Sequence, residues 1–153
     1  MNLFPWKKKE EFFTEEEKSQ LLEAIKKAEQ RTSGEVRIYI EPRCRFMDAV
    51  DRARELFLKL KMYETAERNA TLVYVAVKDH QAAVFGDEGI HQKVGEEYWK
   101  SEVSKMLAQF RHENLAQGIC QVVSDLGEAL QHHFPYDRNT DKNELPDEII
   151  FGR

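Results

Sequence analysis

Only two cysteines occur in the 153 residues, Cys44 and Cys120, and no CxxC motif is present. That excludes a disulfide scaffold and makes free thiols in a reducing cytoplasm the expectation. Cys44 is a nucleophile only if a base reaches it, and no motif ties a histidine to it. No apolar run approaches the roughly eighteen residues a bilayer crossing needs, so no membrane span is expected. The opening "MNLFPWKKKEEFF" puts its charges after its apolar residues, which is not the order of a secretory leader. Basic charge is not in excess. Lys and Arg number 23 against 28 Asp and Glu, a net charge of -5. A nucleic-acid partner, which wants a basic patch, is not expected. The run Lys7-Lys8-Lys9 is followed at once by Glu10-Glu11 and reads as a solvated segment. There is no EF-hand loop, no Walker A, no HExxH and no GxGxxG, so no organic cofactor is expected. Internal repeats and low-complexity blocks are absent too.

The length fits one domain able to bury a core without staples. Residues 1–134 read as that domain and 135–153 as an extended tail. Thr14, with Glu17 three positions on, forms a capping box. Leu21, Leu22, Ile25 and Ala28 then share a helical face, and Phe12 or Phe13 is placed to staple onto it. Thr32-Ser33-Gly34 closes the helix, with Gly34 suited to a left-handed cap. Glu35 to Glu41 alternates Val36, Ile38 and Ile40 with polar residues, which predicts a strand ended by Pro42. Met47, Val50, Ala53, Leu56, Phe57 and Leu60 predict an amphipathic helix of roughly fifteen residues. Thr71 to Val77 is apolar enough for a strand buried on both faces. "AAVFGD" follows after a short polar turn and completes a hairpin. Two helical stripes come next, one from Val94 to Phe110 and one from Leu115 to Phe134, and both suit the core. In the tail, "ELPDEIIF" is apolar enough to dock as a strand-like arm. The order α-β-α-β-β-α-α predicts an α/β protein, a three-layer α/β/α sandwich with a mixed sheet.

Topology brings scattered residues together. A helical crossover should leave the strand from Glu35 parallel to the strand from Thr71, and the hairpin reverses the third. Glu35, Ser33, Arg68, Asn69, Asp87 and Glu88 then fall at one end of the strands. Glu41, Arg43, Cys44, Asp79 and His80 fall at the other. In "VFGDEGI", Gly86 and Gly89 allow backbone angles other residues resist. Asp87 and Glu88 between them have two readings. With Glu35 they supply carboxylates for Ca²⁺ or Mg²⁺, supported by Ser33 and the Asn69 amide. Alternatively they start a helix and pair with Arg68. Asp87 is also the candidate nucleophile or general acid of a phosphatase, although no DxD pattern accompanies it. His132 and His133 lie on adjacent helix faces, and with His91 and His112 they make no zinc pattern.

The pieces "AIKKAEQRTSGEVRIYIE", "RNATLVYVAVKDHQAAVFGDEGI" and "NELPDEIIFG" resemble, in order and over most of the chain, the TPM-domain family. That family includes thylakoid-lumen acid phosphatases linked to photosystem repair and many bacterial proteins; this sequence looks like the leaderless bacterial branch. The resemblance implies an α/β/α sandwich and a divalent-cation site, often for calcium, in an acidic cavity at the strand ends. It places that site at Glu35 in "SGE" and Asp87 in "GDEG", with Asn69 beside them. The sequence departs from exported members. Neither their signal peptide nor their C-terminal anchor or Gly-rich tail is expected here, and "FGDEGI" replaces their "GYGLEG"-like turn. The expectation is a Ca²⁺- or Mg²⁺-binding module with a protein partner. A metal-assisted acid phosphatase is the alternative.

Overall fold

The computed structural model describes residues 12–110, 114–136 and 149–152. The Lys7–Lys9 run, His112 and residues 137–148 of the tail lie outside the described residues.

Local signals set the first elements. Helix α1 spans Glu15–Glu29. Thr14 Oγ1 accepts from the Glu17 amide at 3.0 Å, and Glu17 Oε1 accepts from the Thr14 amide at 2.9 Å. This is the predicted capping box, which satisfies two amides the helix itself leaves orphaned. Phe13 is buried, along with Leu21, Ile25 and Ala28. Strand β1 is Glu35–Glu41, and helix α2 is the shorter span Ala49–Lys59, capped by Asp48. Strand β2 runs Ala70–Ala76 and β3 runs Gln81–Gly86.

Beyond β3 the chain differs from the single stripe expected from Val94. A short helix α3, Glu88–Val94, comes first, and α4 follows as Glu96–Phe110. Gly95 divides them at φ 80°, a left-handed conformation that glycine adopts without steric cost. Helix α5 is Leu115–His133. The closing arm becomes β4, Ile149–Phe151.

The sheet order is β3-β2-β1-β4. β1 and β2 are parallel, with Glu35 opposite Ala70 and Glu41 opposite Ala76. β2 and β3 are antiparallel, with Thr71 opposite Gly86. β4 adds to the free side of β1 in parallel, and Gly152 N donates to Ile40 O at 2.7 Å. Alternation then builds two cores. Val36, Ile38, Ile40, Val73 and Val75 pack with α1, α4 and α5 residues such as Leu21, Met106 and Ile119. Leu72, Tyr74 and Ala76 face the other way, against Ala53, Leu56 and Phe57 of α2. Helices on both faces of a mixed sheet make the expected sandwich. Among the described residues, no helix is long and apolar enough to cross a membrane.

The helix stop at Thr32-Ser33-Gly34 works differently from the expectation. The C-cap is Gln30 in the ordinary right-handed region, and Gly34 is not among the positive-φ residues. A side chain there would lie 2.8 Å from Leu130 Cδ2 and 3.1 Å from the Asn69 carbonyl oxygen. Gly34 is therefore small because α5 and the β2 entrance crowd it.

Candidate functional site at the strand ends

The parallel register brings the predicted residues to one corner. Glu35 opens β1, Asn69 precedes β2, and Asp87 follows β3. Backbone hydrogen bonds join them. Glu35 N donates to Asn69 O at 3.4 Å, Asp87 N to Ala70 O at 2.9 Å, and Gly89 N to Arg68 O at 2.9 Å. Glu35, Asn69 and Asp87 are all buried, at 3%, 1% and 4% exposure. Glu88 is not with them, because its side chain is 64% exposed.

Arg68 occupies the acid pair. Its Nε donates to Asp87 Oδ2 at 2.7 Å and its second terminal nitrogen to Asp87 Oδ1 at 2.9 Å. Glu88 Oε1 accepts a longer bond from the remaining nitrogen, at 3.4 Å. This two-pronged grip matches a planar guanidinium to a carboxylate. It raises the pKa of Arg68 further, chiefly through the bonds to Asp87. Asp87 is also the N-cap of α3, accepting from the Glu88 amide at 2.8 Å. The ion-pair and helix-start reading of "GDEG" is thus what the structure shows. Among the described residues, no three His, Cys, Asp or Glu side chains form a group that could hold a metal.

The glycines beside the acids act through closeness, which corrects the expectation of unusual backbone angles. Neither Gly86 nor Gly89 has positive φ. A Cβ on Gly89 would meet the Glu67 carbonyl oxygen at 2.1 Å, and one on Gly86 would meet Trp99 Cζ2 at 2.3 Å. The left-handed residue is Arg68 itself, at φ 52°. A non-glycine side chain pays a steric cost there.

Oxygen donors surround the corner. Ser33 Oγ donates to Glu67 Oε2 at 2.9 Å and accepts from Asn69 Nδ2 at 3.3 Å. Asn69 Oδ1 and Thr71 Oγ1 are buried and have no hydrogen-bond partner. Buried polar atoms of this kind are rare and costly. The donor set of carboxylate, amide and hydroxyl oxygens is that of a hard cation. Thr71 was expected at this end as the start of its strand; Glu67 was not singled out from sequence. The alternation of β2 put Thr71 inside, but only the fold places Glu67 against Ser33.

The opposite strand end is closed by a different cluster. Arg52 binds both oxygens of buried Glu41, at 2.9 and 3.0 Å, and the Tyr74 hydroxyl also donates to Glu41. Cys44 beside it is buried, its Sγ donates to Met47 O at 3.2 Å, and burial raises its pKa. That leaves Cys44 a protonated thiol, not a ready nucleophile.

A third polar group was missed altogether. Glu102 sits inside the apolar stripe between Tyr98 and Met106 and is 2% exposed. Lys105 Nζ bridges Glu102 Oε1 at 3.0 Å and Asp125 Oδ2 at 2.8 Å. Burial first, and the neighbouring Asp125 carboxylate next, push the Glu102 pKa up to about 7. The i, i+4, i+8 spacing of Tyr98, Glu102 and Met106 was the available signal.

The architecture and corner together define a class: a mixed-sheet α/β/α domain with acid, amide and guanidinium groups gathered at the start of its parallel strands. The TPM domain model matches residues 7–129, and the chain belongs to the TPM-domain family. The chain is similar to the BA42 protein of the psychrophilic bacterium Bizionia argentinensis, known from an NMR structure. The two share 38% identity over 95% of this chain and 99% of that one, with a TM-score of 0.85. The N-terminal domain of the cg2496 protein from Corynebacterium glutamicum shares the fold at 9% identity. That match covers 77% of this chain and 74% of that one, with a TM-score of 0.56. No curated protein matches the sequence.

Proposed function

We propose that the domain is a binding module that takes up Ca²⁺ or Mg²⁺ at the strand-end corner and couples that uptake to a protein partner. One observation carries the reading: the buried, partnerless Asn69 Oδ1, tied through its backbone to Glu35 and its neighbours to Asp87. Glu35, Asp87 and Asn69 would supply the inner oxygens, with Ser33 in support. Exposed Glu88 would close the shell from solvent. An amide oxygen among carboxylates suits a hard, oxygen-seeking ion.

Arg68 is the built-in competitor. Its charge already neutralises Asp87, so an ion gains access to that carboxylate only when the guanidinium moves off. The Arg68 side chain is 42% exposed and has solvent to move into. The module is therefore read as a two-state device, with Asp87 held either by Arg68 or by the ion.

A metal-assisted acid phosphatase would use the same carboxylates, the ion polarising a phosphoryl group. Attack by Asp87 would also need Arg68 to leave, because both carboxylate oxygens are engaged. Binding comes first in either reading and is the step to test. Calorimetry on the metal-stripped protein should give a saturable heat with CaCl₂ or MgCl₂ at or below millimolar concentration. Only dilution heats with both salts would contradict the proposal.

A further inference from the structure

Helices α4 and α5 enclose a cavity of about 510 Å³, within the usual range for ligand sites of about 300–1,000 Å³. It shares no residue with the strand-end corner. Its lining is acidic. α4 supplies Glu102, and α5 supplies Asp125 and Glu128. One lysine, Lys105, stands against these three carboxylates, so the cavity favours a cation. His132 and His133 complete the titratable side chains of the α5 wall. Burial first, and then His132 and Lys93 of α3, hold the His133 pKa below its ordinary value. His133 therefore adds no positive charge at neutral pH.

The floor holds an unfilled acceptor. Glu102 is buried, and its Oε1 accepts from Lys105 Nζ at 3.0 Å. Its Oε2 is buried and has no hydrogen-bond partner. Such an atom calls for a donor. Asp125 offers none, and both of its oxygens are taken, one by Lys105 at 2.8 Å and one by Gln121 at 2.9 Å. The donor at Glu102 Oε2 must be a proton or an incoming cation.

Lys105 shows which cation suits these carboxylates, since its ammonium already bridges two of them. The Tyr98 hydroxyl donates to the Asp125 carbonyl at 3.1 Å and so fixes an aromatic ring beside the acids. A ring next to carboxylates favours an organic ammonium over a bare metal ion.

We propose that this cavity binds a small aliphatic amine in its ammonium form, held by Glu102 Oε2 at the floor and by exposed Glu128 at the rim. Uptake of the ammonium sends the Glu102 proton to solvent. Burial first, and then the hydrogen bond with Asp125, push the Glu102 pKa up to about 7, so proton and amine compete near neutrality. Binding tightens as pH rises through that range, where an aliphatic ammonium keeps its charge.

The probe is 1-aminobutane, titrated into the full-length protein by calorimetry at about pH 6 and about pH 8, with 1-butanol as the neutral control. The amine should give a saturable heat, and the alcohol should give none. Affinity should be about 10-fold higher at the alkaline pH, because the proton no longer competes. Heats in two buffers of different ionisation enthalpy should show a proton released in the acidic case. Amide shifts should fall within residues 98–105 and 125–133. Glu102→Gln keeps the side-chain volume and should weaken binding by at least about 10-fold. Ala129→Leu should weaken it similarly by filling the cavity without touching a carboxylate. The double variant His132→Gln with His133→Gln should keep the pH dependence. Any of several results overturns the proposal: no saturable heat, equal binding of the alcohol, shifts at another surface, affinity unchanged in Glu102→Gln, or a pH dependence that vanishes with the two histidines. Binding of a lysine blocked at both termini but not of 1-aminobutane would overturn it too, because the ligand would then be a protein chain.

Discussion

Arg68 holds both carboxylate oxygens of Asp87, at 2.7 and 2.9 Å, from a left-handed backbone at φ 52°. Two local costs, a buried carboxylate and a non-glycine residue in the left-handed region, are combined at one corner. The pair neutralises Asp87 while leaving Asn69 Oδ1 without a partner.

Replacing Arg68 should separate these effects. Arg68→Gln and Arg68→Gly both remove the charge and should both lower the melting temperature. Both should also raise affinity for Ca²⁺, because the competing cation is gone. Arg68→Gly should be the more stable of the two, since glycine accepts φ 52° without a steric penalty. Thermal unfolding with and without CaCl₂ checks both statements; unchanged affinity would remove Arg68 from the role of competitor.

Gly89→Ala should destabilise the domain by about 3 kcal/mol, the upper part of the range for overpacking. The new methyl would sit 2.1 Å from the Glu67 carbonyl oxygen and 2.6 Å from that of Arg68. Backbone cannot swing away as a side chain can. Urea unfolding measures the loss, and an effect near zero would show that the α3 start can shift outward.

At the other strand end, Arg52→Ala should cost about 3 kcal/mol, because it leaves Glu41 buried without its cation. The double variant Glu41→Gln with Arg52→Gln should recover part of that loss. Denaturant midpoints of the three proteins form the check. If the double variant is no better than Arg52→Ala, the penalty does not come from the orphaned charge.

Stability should fall as pH rises through neutrality, owing to Glu102. Its folded pKa is raised to about 7 from 4.5, so the folded state binds its proton more tightly. The resulting stabilisation is complete below about 4.5 and is lost as pH climbs through about 7. Asp125 works in the opposite sense. Burial raises its pKa, but bonds from Lys105, Glu102 and Gln121 outweigh that, and the net shift is downward from 3.8. Its contribution disappears in acid. Glu102→Gln should flatten the stability profile between about pH 5 and pH 8 and be the more stable protein at the alkaline end. A parallel profile in the variant would mean another group titrates.

Much of the fold was legible in the sequence because local signals agreed. Thr14 and Glu17, the alternation from Val36 to Ile40, and the apolar run of β2 each specify their element without tertiary help. The corner was legible through topology alone, since parallel strands must start at the same end. The division at Gly95 was hidden, because Val94 and Tyr98 are i, i+4 neighbours whether or not the helix breaks between them. Gly34, Gly86 and Gly89 were misjudged for a related reason. A sequence shows that glycine is present, not whether its backbone angle or its missing side chain is needed. Glu102 was concealed inside an otherwise apolar stripe. That Arg68 takes both oxygens of Asp87 rests on distances no pattern encodes.

The central claim is that the strand-end corner is a cation site opened by release of Asp87. The most direct measurement is a ¹H–¹⁵N titration of the metal-stripped protein with CaCl₂ and then MgCl₂, at matched ionic strength. The account predicts saturable shifts confined to residues 33–35, 68–71 and 86–89, with the Arg68 side-chain signals moving alongside Asp87. Shifts no larger than those from a monovalent salt would contradict it, leaving Asp87 a helix cap and ion-pair partner and nothing more.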